Sequence, residues 1–140
     1  MIISTKGRYA LRVMLDLAQN AQDNYISLKA ISDRQEISLK YLESIIGALN
    51  KAGFVKSLRG ANGGYKLSRI PKDYNVGEIL RVTENNGMEL VKCTGCKSDT
   101  LCSRADNCLT LPVWINLNNI VNSYLDNLTL LDILNQDYKV

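Results

Sequence analysis

With 140 residues, 46% of them hydrophobic, the chain can bury the core of one domain, or of one small domain with an appendage, and wholesale disorder is excluded. No apolar run approaches the roughly 18 residues of a membrane span, and MIISTKGRYALRVM lacks the continuous apolar stretch of a secretory signal; a cytoplasmic protein without membrane contact is expected. The net charge of +3 is unevenly placed: residues 1–72 carry twelve Lys/Arg against five Asp/Glu (+7), residues 73–140 five against nine (−4), which suggests that the first half meets a polyanion.

KGRYALRVMLDLAQNA places Ala10, Leu11, Met14, Leu15, Leu17 and Ala18 at helical spacing, with Ser4 or Thr5 as cap. A short helix follows, capped by Ser27, with Leu28, Ala30 and Ile31 on its inner side. A turn at residues 35–37 leads into a third helix capped by Ser38, with Leu42, Ile45, Ile46 and Leu49 inward and Gly53 just past its end. The period then changes. Val55, Ser57 and Arg59 alternate on one side of GANGG, Tyr65 and Leu67 on the other, as in a β-hairpin. This order is that of a winged helix-turn-helix. VGEILRVTENNG reads as a short helix with Val76, Ile79, Leu80 and Val82 apolar. Beyond the cysteine loop, Val113, Trp114, Leu117, Ile120, Val121, Tyr124, Leu125 and Leu128 form the stripe of a long amphipathic helix that tolerates Pro112 in its first turn. So small a chain offers that stripe little to pack against, so a second subunit is expected to cover it, in preference to the chain's own N-terminal helix. A short helix capped by Thr129 closes the chain. The expected fold is mainly α with a small β-hairpin wing and a long dimerisation helix.

In a helix-turn-helix the start of the second helix faces base edges in the major groove. Here that start offers Ser38, Lys40, Tyr41, Glu43 and Ser44. Lys40 can reach a phosphate or a guanine edge, Glu43 can accept from a cytosine amino group, and Tyr41 and the hydroxyls suit phosphate oxygens. Arg59 and Gly60 fall at the wing tip, where an Arg can enter a narrow minor groove. Lys6, Arg8, Lys56 and Lys66 are candidate phosphate contacts. An enzyme is not expected: there is no histidine to act as general base, and GANGG joins two strands, not a strand and a helix as a phosphate loop would. No βαβ pattern surrounds the single CxxC.

All four cysteines lie in CTGCKSDTLCSRADNC, Cys93 to Cys108. A disulfide-bonded loop is disfavoured in a reducing compartment. Zinc and an iron–sulfur cluster both suit several soft thiolates, though structural zinc sites typically pair two CxxC units. One CxxC followed by two longer gaps leaves both possible.

STKGRYALRVMLDLA, ISLKYLESIIGALNKAGFVKSLRGANGGYKL, VGEILRVTE and CLTLPVWINLNNIVNSYLDNLTLLDIL resemble the Rrf2 family of bacterial winged-helix regulators along nearly its whole length. The wing Ser57 to Tyr65 carries the family's SxRGxxGGY-like signature, and Cys96-x5-Cys102-x5-Cys108 resembles its regulators of iron–sulfur cluster biogenesis. The resemblance implies a homodimeric, cluster-sensing repressor on a palindromic double-stranded DNA operator. It implies a 2Fe–2S cluster held by Cys96, Cys102 and Cys108, with base-reading positions Ser38, Lys40, Tyr41, Glu43 and Ser44 and wing-tip positions Arg59 and Gly60. The family's known fourth ligands are missing: where one type has a His, this chain has Leu111, and where another has an Asp, it has Arg8. Cys93 is the natural fourth thiolate, with Asp99 or Asp106 as oxygen alternatives. On this reading residues 1–72 form the DNA-binding region and residues 73–140 the cysteine loop and dimerisation helices of one compact domain. Two other functions fit less well: a repressor of the same fold, sensing thiol oxidation or cysteine metabolism without a cluster, and a zinc-stabilised module that binds no DNA.

Overall fold

A computed structural model describes residues 3–84, 87–94 and 102–138. Three helices come first: α1 (Thr5–Asn20), α2 (Leu28–Gln35) and α3 (Leu39–Lys51). Each is capped by a serine, Ser4, Ser27 and Ser38, whose hydroxyl accepts the backbone N–H three residues on. Between α2 and α3 the chain reverses at Glu36, in the left-handed region (φ 55). Ser32 pins the reversal by donating its hydroxyl to the Ile37 carbonyl at 2.6 Å. Gly53, at φ 76, ends α3 as the sequence predicts.

Strands β1 (Val55–Leu58) and β2 (Gly64–Leu67) pair antiparallel, with Val55 opposite Leu67 and Lys56 opposite Lys66. Ile26, just before α2, adds two bridging hydrogen bonds of 2.8 Å to Tyr65. Gly64 is required at this crossing, since a Cβ there would collide with the Ile26 backbone. The observed order, helix–helix–turn–helix–hairpin, is the predicted winged helix-turn-helix.

Helix α4 (Val76–Thr83) starts in a full capping box, Asn75 with Glu78, that the sequence reading did not identify. Helix α5 (Leu111–Asn127) carries Pro112 in its first turn, and α6 (Leu130–Leu134) is capped by Thr129 and Asp132. The main core joins Ala10, Val13, Met14 and Leu17 of α1 to Ile31, to Leu42, Ile45, Ile46 and Leu49 of α3, and to Val55, Tyr74, Ile79 and Leu130. Each such aliphatic side chain, fully buried, contributes about 1.5–3 kcal/mol. The expected inner positions Leu28 and Ala30 of α2 are only half-buried. A second cluster, Val76, Leu80, Met88 and Leu125, seats α5 on α4. There Gly77 leaves no room for a Cβ beside Asp126 and Arg81, which pair at 2.7 Å. Of α5, only Leu125 is buried; Val113, Trp114, Leu117, Ile120 and Tyr124 stay exposed, Ile120 at 66%. Among the described residues no helix is long and apolar enough to cross a membrane.

Two polar anchors inside this frame escaped the sequence reading. Asp16 is 1% exposed and accepts three hydrogen bonds, from Arg34 Nε (3.0 Å), Arg34 Nη2 (2.7 Å) and Gln35 Nε2 (2.8 Å). The carboxylate raises the Arg34 pKa above its ordinary value, chiefly through the hydrogen bond. Tyr74 is fully buried; its hydroxyl accepts from the Ser68 and Arg69 N–H groups (3.0 and 2.9 Å) and donates to the Phe54 carbonyl at 2.6 Å.

Candidate nucleic-acid interface and cysteine loop

The inward side of α3 is fixed by Leu42, Ile45, Ile46 and Leu49, and this rotation decides what the helix shows outside. Ser38, Lys40, Glu43 and Ser44 are exposed along its first two turns. Tyr41 is half-buried, its ring edge-on to Tyr9 of α1 at 5.8 Å, so it packs as well as facing outward. Arg59 and Gly60 are exposed at the hairpin tip, and Gly60 takes φ 112 there, a conformation that suits glycine.

The wing cannot swing freely from this base. Tyr74 holds both sides of it through Phe54 on one strand's approach and Ser68 and Arg69 on the other's exit. Arg69 lies over the rings of Phe54 (5.1 Å) and Tyr74 (4.2 Å) and donates to the Asp73 carbonyl and Glu78. Arg59 is thereby carried on a short, braced arm.

The basic residues sort into two sets. Lys29, Arg34, Arg69 and Arg81 pair with Asp33, Asp16, Glu78 and Asp126. Among the described residues Lys40, Lys56, Arg59 and Lys66 make no ion pair. Lys56 and Lys66 stand directly opposite each other in the hairpin, an unfavourable like-charge pair that an anion would relieve. Lys66 lies 4.8 Å over the Tyr25 ring. Arg8 donates to Thr5 on the surface of α1, and Lys6 is half-buried.

The cysteine loop leaves α4 at Glu84, whose Oε1 accepts from both the N–H and the hydroxyl of Ser4, each at 2.9 Å. The carboxylate lies so close to Gly7 that a Cβ there would push it aside. The root of the loop is thus tied to the first turn of α1. Further on, the Leu90 N–H donates to Asn118 of α5 at 3.2 Å, and the turn Lys92–Thr94 packs on the same helix. Cys93 and Cys102 are exposed; Cys108 is half-buried just ahead of α5. All three are free thiols. The Cys108 Sγ lies 3.4 Å from the Thr110 hydroxyl, and this contact, with the Thr110 and Leu111 N–H groups and the charge of Arg104, holds its thiol below the ordinary range. Cys96 and Asp99, expected as ligand and possible ligand, lie outside the described residues; Asp106 is exposed in a short turn before Cys108. Among the described residues no three candidate ligands converge closely enough to hold a metal ion. Leu111 opens α5 and Arg8 sits on α1, so neither restores the missing fourth ligand.

Sequence reasoning missed Asp16, Tyr74 and Glu84. Asp16 had a usable signal: an acid inside the run Val13, Met14, Leu17 of a buried stripe calls for a partner. Glu84 meets a group eighty positions away, and Tyr74 joins nearby Ser68 and Arg69 to Phe54 twenty positions back; neither leaves a local pattern.

The chain is similar to known regulators over nearly its full length. The Rrf2 family, described as iron-dependent transcriptional regulators, matches residues 3–136. An HTH-type transcriptional regulator of Neisseria meningitidis serogroup A is 44% identical over 136 residues, which are 97% of this chain and 89% of that protein. Among solved structures, T. potens IscR is 40% identical at a TM-score of 0.75, covering 97% of this chain and 88% of that one. CymR, the global cysteine regulator of B. subtilis, is 36% identical at a TM-score of 0.78, covering 97% and 98%.

Proposed function

The chain belongs to the Rrf2 family of transcriptional regulators, and from that membership we propose that it is a cytoplasmic, homodimeric DNA-binding repressor that senses iron–sulfur cluster status and controls cluster-biogenesis genes. It is not an enzyme, in keeping with relatives named as transcriptional regulators. The observation that carries the DNA half of the proposal is the pairing of an exposed row, Ser38, Lys40, Glu43 and Ser44, with a braced Arg59 on the wing, beside cations that pair with no carboxylate among the described residues. The row reads major-groove edges, Arg59 and Gly60 meet the minor groove, and Lys56 and Lys66 meet phosphates. The exposed stripe of α5 supplies the dimer face, and a two-fold dimer calls for a palindromic operator.

The donor set suits an iron–sulfur cluster: Cys96, Cys102 and Cys108, with Cys93 as fourth ligand, are soft anionic ligands when deprotonated, and the three described thiols are tied in no disulfide. Such a cluster, when bound, supplies a one-electron redox centre that iron limitation or oxidation removes. Cys93, Cys96, Cys102 and Cys108, if they held such a group, would tie the segment that leaves α4 at Glu84 to the start of α5. Glu84 holds the cap of α1, and α1 carries Tyr9 against Tyr41 on α3. A change in the loop therefore reaches the base-reading helix through contacts already present.

The test is an absorption spectrum with iron and sulfide analysis on protein purified without oxygen. Visible charge-transfer bands with matched iron and sulfide support the cluster, and a Cys102→Ala/Cys108→Ala double variant should then differ from reconstituted wild type in its operator preference. Colourless protein with zinc, or with no metal after reconstitution, refutes cluster sensing and leaves the DNA-binding regulator. A second reading is favoured by one observation: the lowered Cys108 thiol beside Thr110 suits direct thiol oxidation in a cluster-free repressor.

A further inference from the structure

Arg12 of α1 was not singled out by its sequence, and it makes no ion pair among the described residues. Two of its guanidinium nitrogens are nevertheless held by one residue. Nε donates to Gln35 Oε1 at 3.1 Å, and Nη2 donates to the Gln35 carbonyl, at the last residue of α2. The guanidinium carbon lies over the Tyr9 ring, 5.1 Å from its centroid, and Tyr9 in turn meets the Tyr41 ring edge-on at 5.8 Å. Gln35 continues the chain inward by donating Nε2 to buried Asp16, which also takes both donors of Arg34. These contacts span α1, the end of α2, and the third helical residue of α3. They bracket the reversal at Glu36, the one left-handed residue between α2 and α3.

We propose that Arg12 is a positioning residue for DNA recognition: clamped to Gln35 and stacked on Tyr9, it fixes the α2–α3 turn and so the angle at which Lys40, Glu43 and Ser44 meet the bases. The inference rests on the DNA-binding role proposed above. Two properties of arginine are needed at once: a planar face for the ring and a fork that satisfies two oxygens of one residue. A lysine supplies the same charge with neither. The alternative for an exposed cation on this face is a plain phosphate contact, for which lysine serves equally well.

The experiment uses the full chain and two duplexes of about 30 bp, long enough for two half-sites a helical turn apart. One is selected from a randomised library by the wild-type protein and the other is its scramble. Wild type, Arg12→Ala and Arg12→Lys are titrated by fluorescence anisotropy at several salt concentrations. Both variants should lose affinity for the selected duplex by about ten-fold, the scale of one charge-assisted hydrogen bond, with scramble affinity and the slope against log salt unchanged. If Arg12→Lys restores binding, or if the slope falls by about one, Arg12 is a phosphate contact and the proposal is overturned. An unchanged ratio of selected to scramble affinity also overturns it, including in a variant that melts lower, since each is read below its own transition. Failure of the wild type to select any sequence refutes the DNA-binding reading itself, a result distinct from these.

Discussion

Removing the single oxygen of Tyr74 tests how the wing is held. In Tyr74→Phe the ring keeps its place beside Phe54, 5.8 Å away, so little packing is lost. Of the backbone groups the hydroxyl holds, the Ser68 N–H and the Phe54 carbonyl keep each other at 3.1 Å, and the Arg69 N–H loses its partner. A buried group left unsatisfied costs about 1–3 kcal/mol. One stranded donor and two groups that each lose one of two hydrogen bonds, at partly buried sites where water recovers some of the loss, give an expected total of about 1.5–3 kcal/mol. With m near ~1.5 kcal/mol/M, the urea midpoint should fall by about 1–2 M, compared at equal protomer concentration because the proposed association would contribute to stability. The wing loses its brace as well, so selectivity between AT-rich and GC-rich flanks under Arg59 should narrow in the same variant. A stability loss below about 1 kcal/mol would mean that water replaces the hydroxyl at no cost, and the account of the braced arm would be wrong.

Three further outcomes follow from the same geometry. Arg34→Ala should destabilise more than Asp16→Ala in urea melts, about 3–4 against about 2 kcal/mol, because it leaves a buried carboxylate without its counter-charge and held by Gln35, whereas the half-exposed arginine can turn to water; the reverse order refutes the assignment. Ile120→Glu should leave the folded protomer nearly as stable as before, the side chain being mostly exposed, yet convert dimer to monomer in sedimentation equilibrium; a persistent dimer removes α5 as the interface. In metal-free protein, Cys108 should be alkylated at a lower pH than the cysteine of an unstructured peptide, since its thiol is held below the ordinary range and the thiolate is the reactive form. Peptide mapping across a pH series checks this, and equal profiles would refute the role of the Thr110 contact.

The candidate site was legible to unequal depth. Helix periods, serine caps and the glycine-rich hairpin are written in residues at most four or five apart, and the face of α3 follows from where Leu42, Ile45, Ile46 and Leu49 must go. The cysteine spacing is equally local, and it is a statement about ligands, not about where they sit. What sequence could not supply are contacts between distant residues. Glu84 meets Ser4 eighty positions away, Tyr74 closes the wing, and Arg12 reaches across to Gln35.

The sequence by itself determined the elements, their order, the basic first half and the soft-ligand loop, because hydrophobic period, capping and charge act over one or two turns. Only the tertiary structure decided which cations stay unpaired and which face of α5 stays exposed among the described residues, and how the loop's root is wired to α1. Those depend on which surfaces meet when the helices pack, and a polar side chain gives no local sign of the partner that packing will bring to it.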